Sequence, residues 1–435
     1  MSHTAAQAAA DRERECDVLS ESTTQRAQPL SGLRVLDLTV ALAGPYGTLL
    51  LAGLGAEVIK IESPVGGDIA RFNPPFHGRG GIHFDAVSEG DISLSILARA
   101  RQKKSITLDL KSPEGRALFF RLAEDADVVF ENLSDGTVQR LGVDYESVRA
   151  ANPRIVYCSV NGLGAPSMYP GVKAMDITVQ ALSGLMDTTG FADGPPIRTG
   201  VAISDMLAPL YAVIGLQSAL LQRTVTGEGQ HVQVSMLECV TSLLPFEHPD
   251  VLQRHGFPAR SGNSHSRLAP FGVYPTSDGY VSIAAASDTW ARSIFEAIGL
   301  PDLIDDERFA GRGPRAVNAA VLDELIEAWT RGHTSAEVIE ELNVRRGVPC
   351  VPVRTALEAL ADPALFERGA LQRLEDPRVG PIDAVAGGIP IHMSGSRVGL
   401  DQPAAELGTH NDEVYRDLLG LDADELEALK VKRVI

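Results

Sequence analysis

The chain has 435 residues, 44% of them hydrophobic and 5% aromatic, with 39 Lys and Arg against 57 Asp and Glu for a net charge of −18. At roughly 150 residues per domain this is two or three domains with ample core, and the apolar fraction excludes overall disorder. The acidity argues against nucleic acid or anionic lipid as the main partner, and the scarcity of aromatics argues against base-stacking platforms, while a local basic pocket for a phosphorylated ligand remains compatible with both.

Residues 1–28 are polar and poor in branched apolar side chains; they read as a disordered leader and lack the apolar h-region of a secretory signal. Ordered structure is expected from Leu33. Residues 33–39 form a strand, Ala43-Gly-Pro45 a turn, 46–54 a helix and 55–62 a second strand, a parallel strand–helix–strand unit. Residues 66–90, rich in Gly, Pro, Phe and His, read as a long surface excursion. A strand over 105–110 precedes a helix over 112–123, with Ser112 as N-cap and Pro113 at its first position. Strands at 127–131 and 155–160 flank a helix beginning at Thr137. This alternation predicts a doubly wound α/β domain. A long helical pattern covers 203–223, followed by a strand at 231–234 and a helix at 235–244. The texture then changes: Thr276-Ser-Asp-Gly279 joins an antiparallel pair, which suggests a smaller α+β unit. Helical segments lie within 316–343, and an acidic helix at 422–429 closes the chain. No apolar run reaches the roughly 18 residues of a membrane helix; the richest, 206–221, is interrupted by Pro209, Tyr211, Gln217 and Ser218. A cytoplasmic location is expected, with no membrane partner.

Cys16, Cys158, Cys239 and Cys350 are far apart, so neither a disulfide framework nor a zinc site is indicated. The P-loop, zinc-protease, nucleophile-elbow and EF-hand patterns are missing, and Gly53-Leu-Gly55 and Gly162-Leu-Gly164 are incomplete dinucleotide fingerprints. Arg99-Ala-Arg101-Gln-Lys103-Lys104 concentrates four cations in six residues. It is either a solvated basic face or a loop placed to meet phosphates. Asn132 and Asn161-Gly162 end predicted strands, where ligands of open α/β sheets bind. Asp176 stands among apolar Ala174, Met175 and Ile177; alone it reads as a helix cap or a surface acid.

Several ordered motifs together resemble family III (CaiB/BaiF) CoA-transferases, which include formyl-CoA and carnitine CoA-transferases. They are Leu30-Ser-Gly-Leu-Arg-Val-Leu-Asp-Leu38, Ala43-Gly-Pro45, Leu54-Gly-Ala-Glu-Val-Ile-Lys-Ile-Glu62, Gly66-Gly-Asp68, Lys103-Lys-Ser-Ile-Thr-Leu-Asp-Leu-Lys111, Asp127-Val-Val-Phe-Glu-Asn132, Ser159-Val-Asn-Gly162, Gly227-Glu-Gly-Gln230, Asp278-Gly279, Gly347-Val-Pro349 and Gly408-Thr-His410. The resemblance covers residues 29–435. It implies a large Rossmann-like α/β domain begun by 29–224, a small α+β domain at 225–330, and a return to the large domain at 331–435. It also implies an interlinked, ring-shaped homodimer.

Asp176 matches the family's nucleophile, and the CoA contacts fall on Leu42, Ala43, Lys103, Lys104, Asn132, Arg140, Asn161 and Gly162. Acyl-CoA and a small carboxylic acid are the implied substrates, with no tightly bound cofactor and no metal. The carboxylate chemistry is coherent: attack on a thioester gives a mixed anhydride, CoA thiolate converts it to an enzyme–CoA thioester, and both states lie near the thioester in energy. Such an Asp176 is expected to be ionised but poorly solvated, with backbone amides of nearby glycine loops taking the oxyanion. Ser63 stands where some relatives have Arg, and Ser261-Gly-Asn-Ser-His265 replaces the glycine run of formyl-CoA transferase. Side-chain cations are therefore expected to hold the acceptor, with Arg71, Arg79, Arg198, Arg260 and His265 as candidates, favouring a four- or five-carbon dicarboxylate. The alternative is an α-methylacyl-CoA racemase, but that subgroup carries Gly-His-Asp where this chain has Met175 before Asp176.

Overall fold

The computed structural model describes residues 27–78, 80–85, 87–376 and 378–435; Cys16, Arg79 and the leader up to residue 26 lie outside them. Gln28 already belongs to the fold, its carbonyl accepting Ser31 N at 3.1 Å, and Leu30 N donates to Leu54 O at 2.9 Å. The chain forms two compact units. One takes residues up to 179 with 202–239 and 362–435; the other takes 180–201 and 240–361.

The first unit runs β1 (Arg34–Asp37), α1 (Ala43–Gly53), β2 (Glu57–Glu62), three short strands β3 (Phe76–Gly78), β4 (Gly81–His83) and β5 (Ile92–Ser93), then β6 (Lys103–Thr107). It continues through α2 (Pro113–Glu124), β7 (Val128–Glu131), β8 (Val156–Asn161), α3 (Asp176–Leu182), α4 (Ile203–Thr226) and β9 (His231–Ser235). The sheet order is β6-β2-β1-β7-β8-β9, every pair parallel. Chain order therefore reverses between β1 and β7, and the switch point that invites a ligand lies at their carboxyl ends. Leu36, Ile59, Ile106, Val129 and Tyr157 bury one face of this sheet against Leu118 and Phe119 of α2 and against Tyr415, Leu426 and Ile435 from the chain's end. Helix α2 starts as the sequence demands, Ser112 Oγ accepting Gly115 N at 2.9 Å with Pro113 at the first turn.

Helix α4 is long and apolar enough to cross a membrane by length and composition. Here one face packs on α1, β8 and β9. The opposite face leaves Leu210, Tyr211, Ile214, Leu221 and Val225 exposed, all within one stripe at 100° per residue.

The second unit is built on a four-stranded antiparallel sheet of β10 (Ser264–His265), β11 (Leu268–Pro275), β12 (Tyr280–Ala284) and β13 (Cys350–Pro352). The 276–279 turn joins β11 to β12 as expected, Thr276 N donating to Gly279 O at 2.9 Å. The domain boundaries expected at 225 and 330 lie elsewhere. Strand β9 completes the parallel sheet, so 225–239 stay with the first unit; β13 pairs with β12, so residues up to 361 belong to the second. The excursion at 66–90 is also more structured than expected. Strands β3–β5 pair there, and Ala70 and Ile92 are buried with Leu374 and Ile382 of the hairpin β14 (Leu371–Asp376) and β15 (Gly380–Gly387). Strands of two or three residues are too short to show an alternation in sequence.

Candidate active site

Just beyond β1, the loop 39–41 is held entirely by side chains. Asp37 Oδ1 accepts Thr39 N at 2.9 Å, and Lys60 Nζ donates to Thr39 O at 2.8 Å. Asn132 grips Val40 at both ends, accepting its N–H at 2.7 Å and donating to its carbonyl at 3.0 Å. Asp68 Oδ1 accepts Ala41 N at 2.9 Å, and Arg99 donates to Ala41 O at 2.6 Å. Ala41 has φ 65, an unfavourable left-handed turn for alanine, and these bonds hold it there. The loop delivers the chain into α1, whose N-cap Leu42 offers no capping side chain. A Cβ on Gly44 would lie 2.5 Å from Thr39 and 2.8 Å from Asn132, so only glycine lets the loop close on the switch point.

Beneath the loop lies a fully buried charge network. Asp37 Oδ2 takes Thr48 Oγ1 at 2.6 Å and Lys103 Nζ at 3.1 Å, and Lys60 Nζ pairs with Asp68 Oδ2 at 2.9 Å. Burial pushes the Asp37 carboxyl up, but Lys103, Lys60 and two threonine hydroxyls outweigh it and hold it below the ordinary carboxylate value.

At the end of β8, Asn161 Oδ1 accepts Gly164 N at 2.6 Å and closes a tight turn. A Cβ on Gly162 would fall 2.0 Å from Ala174 Cβ, so this glycine lets the segment leading into α3 lie directly on the turn. Asp176 is the first residue of α3 and is half-buried. Its Oδ1 accepts two bonds from Ser204, the backbone N–H at 2.9 Å and Oγ–H at 2.6 Å. Ser204 is the second residue of the 24-residue α4, whose N-cap Ala202 has no capping side chain. The Asp176 carboxylate thus takes the place of a cap at the positive end of a long helix dipole. Next along α4, Asp205 is pushed up to about 6 by burial and then by the Asp176 carboxylate, against the pull of Arg99. Arg99, which donates to Ala41 O, thus also acts on Asp205 through its charge.

Two cavities flank Asn132–Leu133. One of about 220 Å³ is lined by Leu38, Val40, Gly67, Lys111, Leu133 and Leu141; the other, of about 230 Å³, includes Ser134, Gly136, Asn161 and Gly164. A larger cavity of about 770 Å³, with Glu57, Lys103, Lys104 and His410 among its walls, lies at the amino ends of β2 and β6, the opposite edge of the sheet from the switch point.

Residues 30–411 match the model of CoA-transferase family III. The chain is 37% identical over 415 residues to the succinyl-CoA–D-citramalate CoA-transferase of Chloroflexus aurantiacus, covering 95% of this chain and 100% of that one. It is 35% identical over 395 residues to the succinate–glutarate CoA-transferase of Agrobacterium fabrum, covering 90% and 96%. The crystal structure of a CaiB/BaiF family protein from Brucella suis superposes with a TM-score of 0.74 at 36% identity, covering 91% of this chain and all of that one. The chain belongs to CoA-transferase family III.

For a CoA-transferase the residues sort as follows. Asp176, Asn161 and Gly162 come together at one end of the sheet, with Asn132, Leu42 and Ala43 around the adjoining loop. Ala43 is buried and the Asn132 amide is spent on Val40, so both shape the loop rather than offering side chains to a ligand. Arg140 is exposed near Gly136 and donates to Thr137 Oγ1 at 2.7 Å. Lys103 and Lys104 are not brought to this end of the sheet. They open β6 at its amino end, whereas the crevice lies at carboxyl ends; Lys103 is enclosed by Asp37, Thr48 and Pro45 O, and Lys104 is paired with Glu57 at 2.6 Å and Glu413 at 2.8 Å. Each of the four cations of the cluster has a protein partner, Arg99 on Ala41 O and Arg101 on Gln372 and Gly387 O.

Met175 and Ile177 do not desolvate Asp176, being 68% and 52% exposed. Of the expected acceptor cations, Arg71 is claimed by Glu62 at 2.7 Å and Arg260 by Asp187, Phe191 O and Gly194 O, while His265 sits 3.4 Å from Glu247. Arg198 is exposed and donates to Thr199 O at 3.0 Å; among the described residues it pairs with no carboxylate. Sequence reasoning missed Ser204 and Asp205. A Ser-Asp pair opening a strongly apolar helical pattern was the available signal for both.

Proposed function

We propose that this CoA-transferase moves CoA between a succinyl-CoA-type donor and a four- or five-carbon dicarboxylate, with Asp176 as the nucleophile. The observation that carries the reading is the Asp176 carboxylate fixed by Ser204 at the head of α4, on the segment packed against the Asn161–Gly162 turn. Asp176 attacks the acyl-CoA carbonyl and expels CoA thiolate; the thiolate attacks the resulting anhydride and releases the donor acid. The acceptor acid then takes CoA by the same steps reversed. The CoA phosphates meet Lys111 and Arg140 at the carboxyl edge, in place of the Lys103–Lys104 pair. The acceptor class is supported by the relatives, both of which carry five-carbon dicarboxylates in their names. The working form is a homodimer, supported by the exposed apolar stripe of α4 together with Met175 and Ile177.

The test combines a donor–acceptor panel with the nucleophile variant. Succinyl-CoA is incubated with glutarate, citramalate, oxalate, formate and carnitine, and products are read by mass spectrometry. Transfer is expected to the five-carbon diacids, and Asp176→Ala should lower it by at least about 10³-fold while CoA still binds by calorimetry. Near wild-type turnover in that variant sinks the mechanism; transfer only to monocarboxylates sinks the substrate class.

A further inference from the structure

Two donors from one residue converge on a single oxygen of the nucleophile. We infer that Ser204 is a catalytic residue, its N–H and Oγ–H forming the oxyanion hole for the Asp176 acyl carbonyl. This rests on the reading of Asp176 as nucleophile and extends it to the second half of the reaction.

Oδ1 of Asp176 receives the Ser204 amide at 2.9 Å and its hydroxyl at 2.6 Å, and Ser204 is fully buried. With the bond to the substrate acyl carbon at Oδ2, both Ser204 donors stay on Oδ1. Oδ1 then becomes the carbonyl oxygen of the anhydride and of the enzyme–CoA thioester.

The CoA sulfur attacks Asp176 Cγ, and the C–S bond forms as the Cγ=Oδ1 pair moves onto Oδ1. That pair then returns and the bridging Cγ–Oδ2 bond breaks, so that the donor acid leaves as a carboxylate carrying Oδ2. The thioester is left with Oδ1 as its carbonyl. In the reverse half, the acceptor carboxylate attacks the same Cγ and thiolate departs. Each passage places a full negative charge on Oδ1, where two donors already stand. Donors placed before charge develops need no reorganisation, and the amino end of α4 adds its dipole in the same sense. The acid–base bookkeeping is simple, because no proton moves in either step.

Ser204→Ala removes the hydroxyl and leaves the amide, and Ser204→Thr restores a hydroxyl. With succinyl-CoA and glutarate, the Ala variant should lose about 10²-fold in kcat with the acyl-CoA KM changed less than about threefold, and Thr should recover at least tenfold of that loss. The decisive readout is the covalent state on Asp176 after rapid acid quench, by intact and peptide mass. Wild type should carry mainly CoA; Ser204→Ala should carry the acyl group, because the step slowed is attack on the Asp176 carbonyl. A residue that merely placed Asp176 would slow anhydride formation as well and would not enrich the acyl form. Wild-type kcat in Ser204→Ala, or a loss of kcat without acyl enrichment, overturns the role of Ser204. No adduct on Asp176 in the active wild-type enzyme would instead overturn the nucleophile itself, and with it both proposals.

Discussion

Asp205 shows how one residue can be read through its neighbours. Its carboxyl is raised to about 6 by burial and by the adjoining Asp176 charge. An acid whose folded-state pKa lies above its unfolded value near 3.9 holds its proton more tightly in the native state. Its contribution to stability is therefore complete below about pH 4 and is lost as pH rises through 6. Asp205→Asn should match wild type in urea unfolding at pH 4.5 and exceed it at pH 7.5. The gain should be about 1–2 kcal/mol, less than the full shift implies because the side chain is partly exposed. Identical midpoints at both pH values would show that Asp205 carries no strain. Lys103 makes the complementary case. The sequence shows a cation cluster and cannot show that one ammonium is swallowed by Asp37, Thr48 and a helix carbonyl. That outcome depends on β6 pairing beside β2, a contact invisible to local pattern. Lys103→Ala should leave Asp37 charged and buried, costing about 3–5 kcal/mol, rather than act through the acyl-CoA KM. A variant of wild-type stability with a tenfold higher acyl-CoA KM would reinstate the phosphate role.

At the scale of elements, the reading succeeded where a strand or helix carried its own punctuation. Ser112 and Pro113 opened α2, the 276–279 turn joined an antiparallel pair, and Asp422 caps the closing helix over Ala423–Val431. It failed where structure comes from borrowed bonds. The loop 39–41 has no regular structure, yet each of its backbone polar groups is taken by a side chain from another element. Asn132 is the clearest example. It lies 92 residues from Val40 and satisfies both of its backbone groups, so its effect on a ligand passes through the loop. Asn132→Ala leaves two backbone groups unmatched, at about 1–3 kcal/mol each where water cannot replace the amide. The loop should loosen, raising the acyl-CoA KM by about tenfold or more with kcat less affected, and native-state hydrogen exchange at Val40 should quicken. If exchange at Val40 is unchanged while KM still rises, Asn132 contacts CoA directly and the positioning argument is wrong.

Over the whole molecule, the alternation of strands and helices made the α/β class legible, since parallel strands read as continuous apolar runs. The division into units was not, because β9 joins β8 only after a long helix and 362–435 return to the first unit across an entire inserted domain. The ordered motifs pointed to the family, and the fold brings the matched residues Asp176, Asn161 and Gly162 to one end of the sheet. They could not tell an available cation from a buried one, nor show which apolar residues stay uncovered. That last point bears on assembly. Helix α4 has a polar-poor outer stripe in which Ile214 is 63%, Leu221 71% and Val225 88% exposed, although a net charge of −18 keeps the rest of the surface well solvated. A contiguous apolar stripe on such an acidic chain is what a partner surface looks like, and a closed symmetric pair is the commonest way to cover one. Replacing Ile214 and Leu221 by Glu should leave each chain folded, because neither side chain is buried in its own unit, while setting repelling charges against an apolar partner. Wild type should then sediment as a dimer at micromolar concentration and the double variant as a monomer with unchanged far-ultraviolet circular dichroism. A wild-type monomer that transfers CoA at full rate, or a double variant that stays dimeric, would assign the α4 stripe to something other than a second copy of this chain.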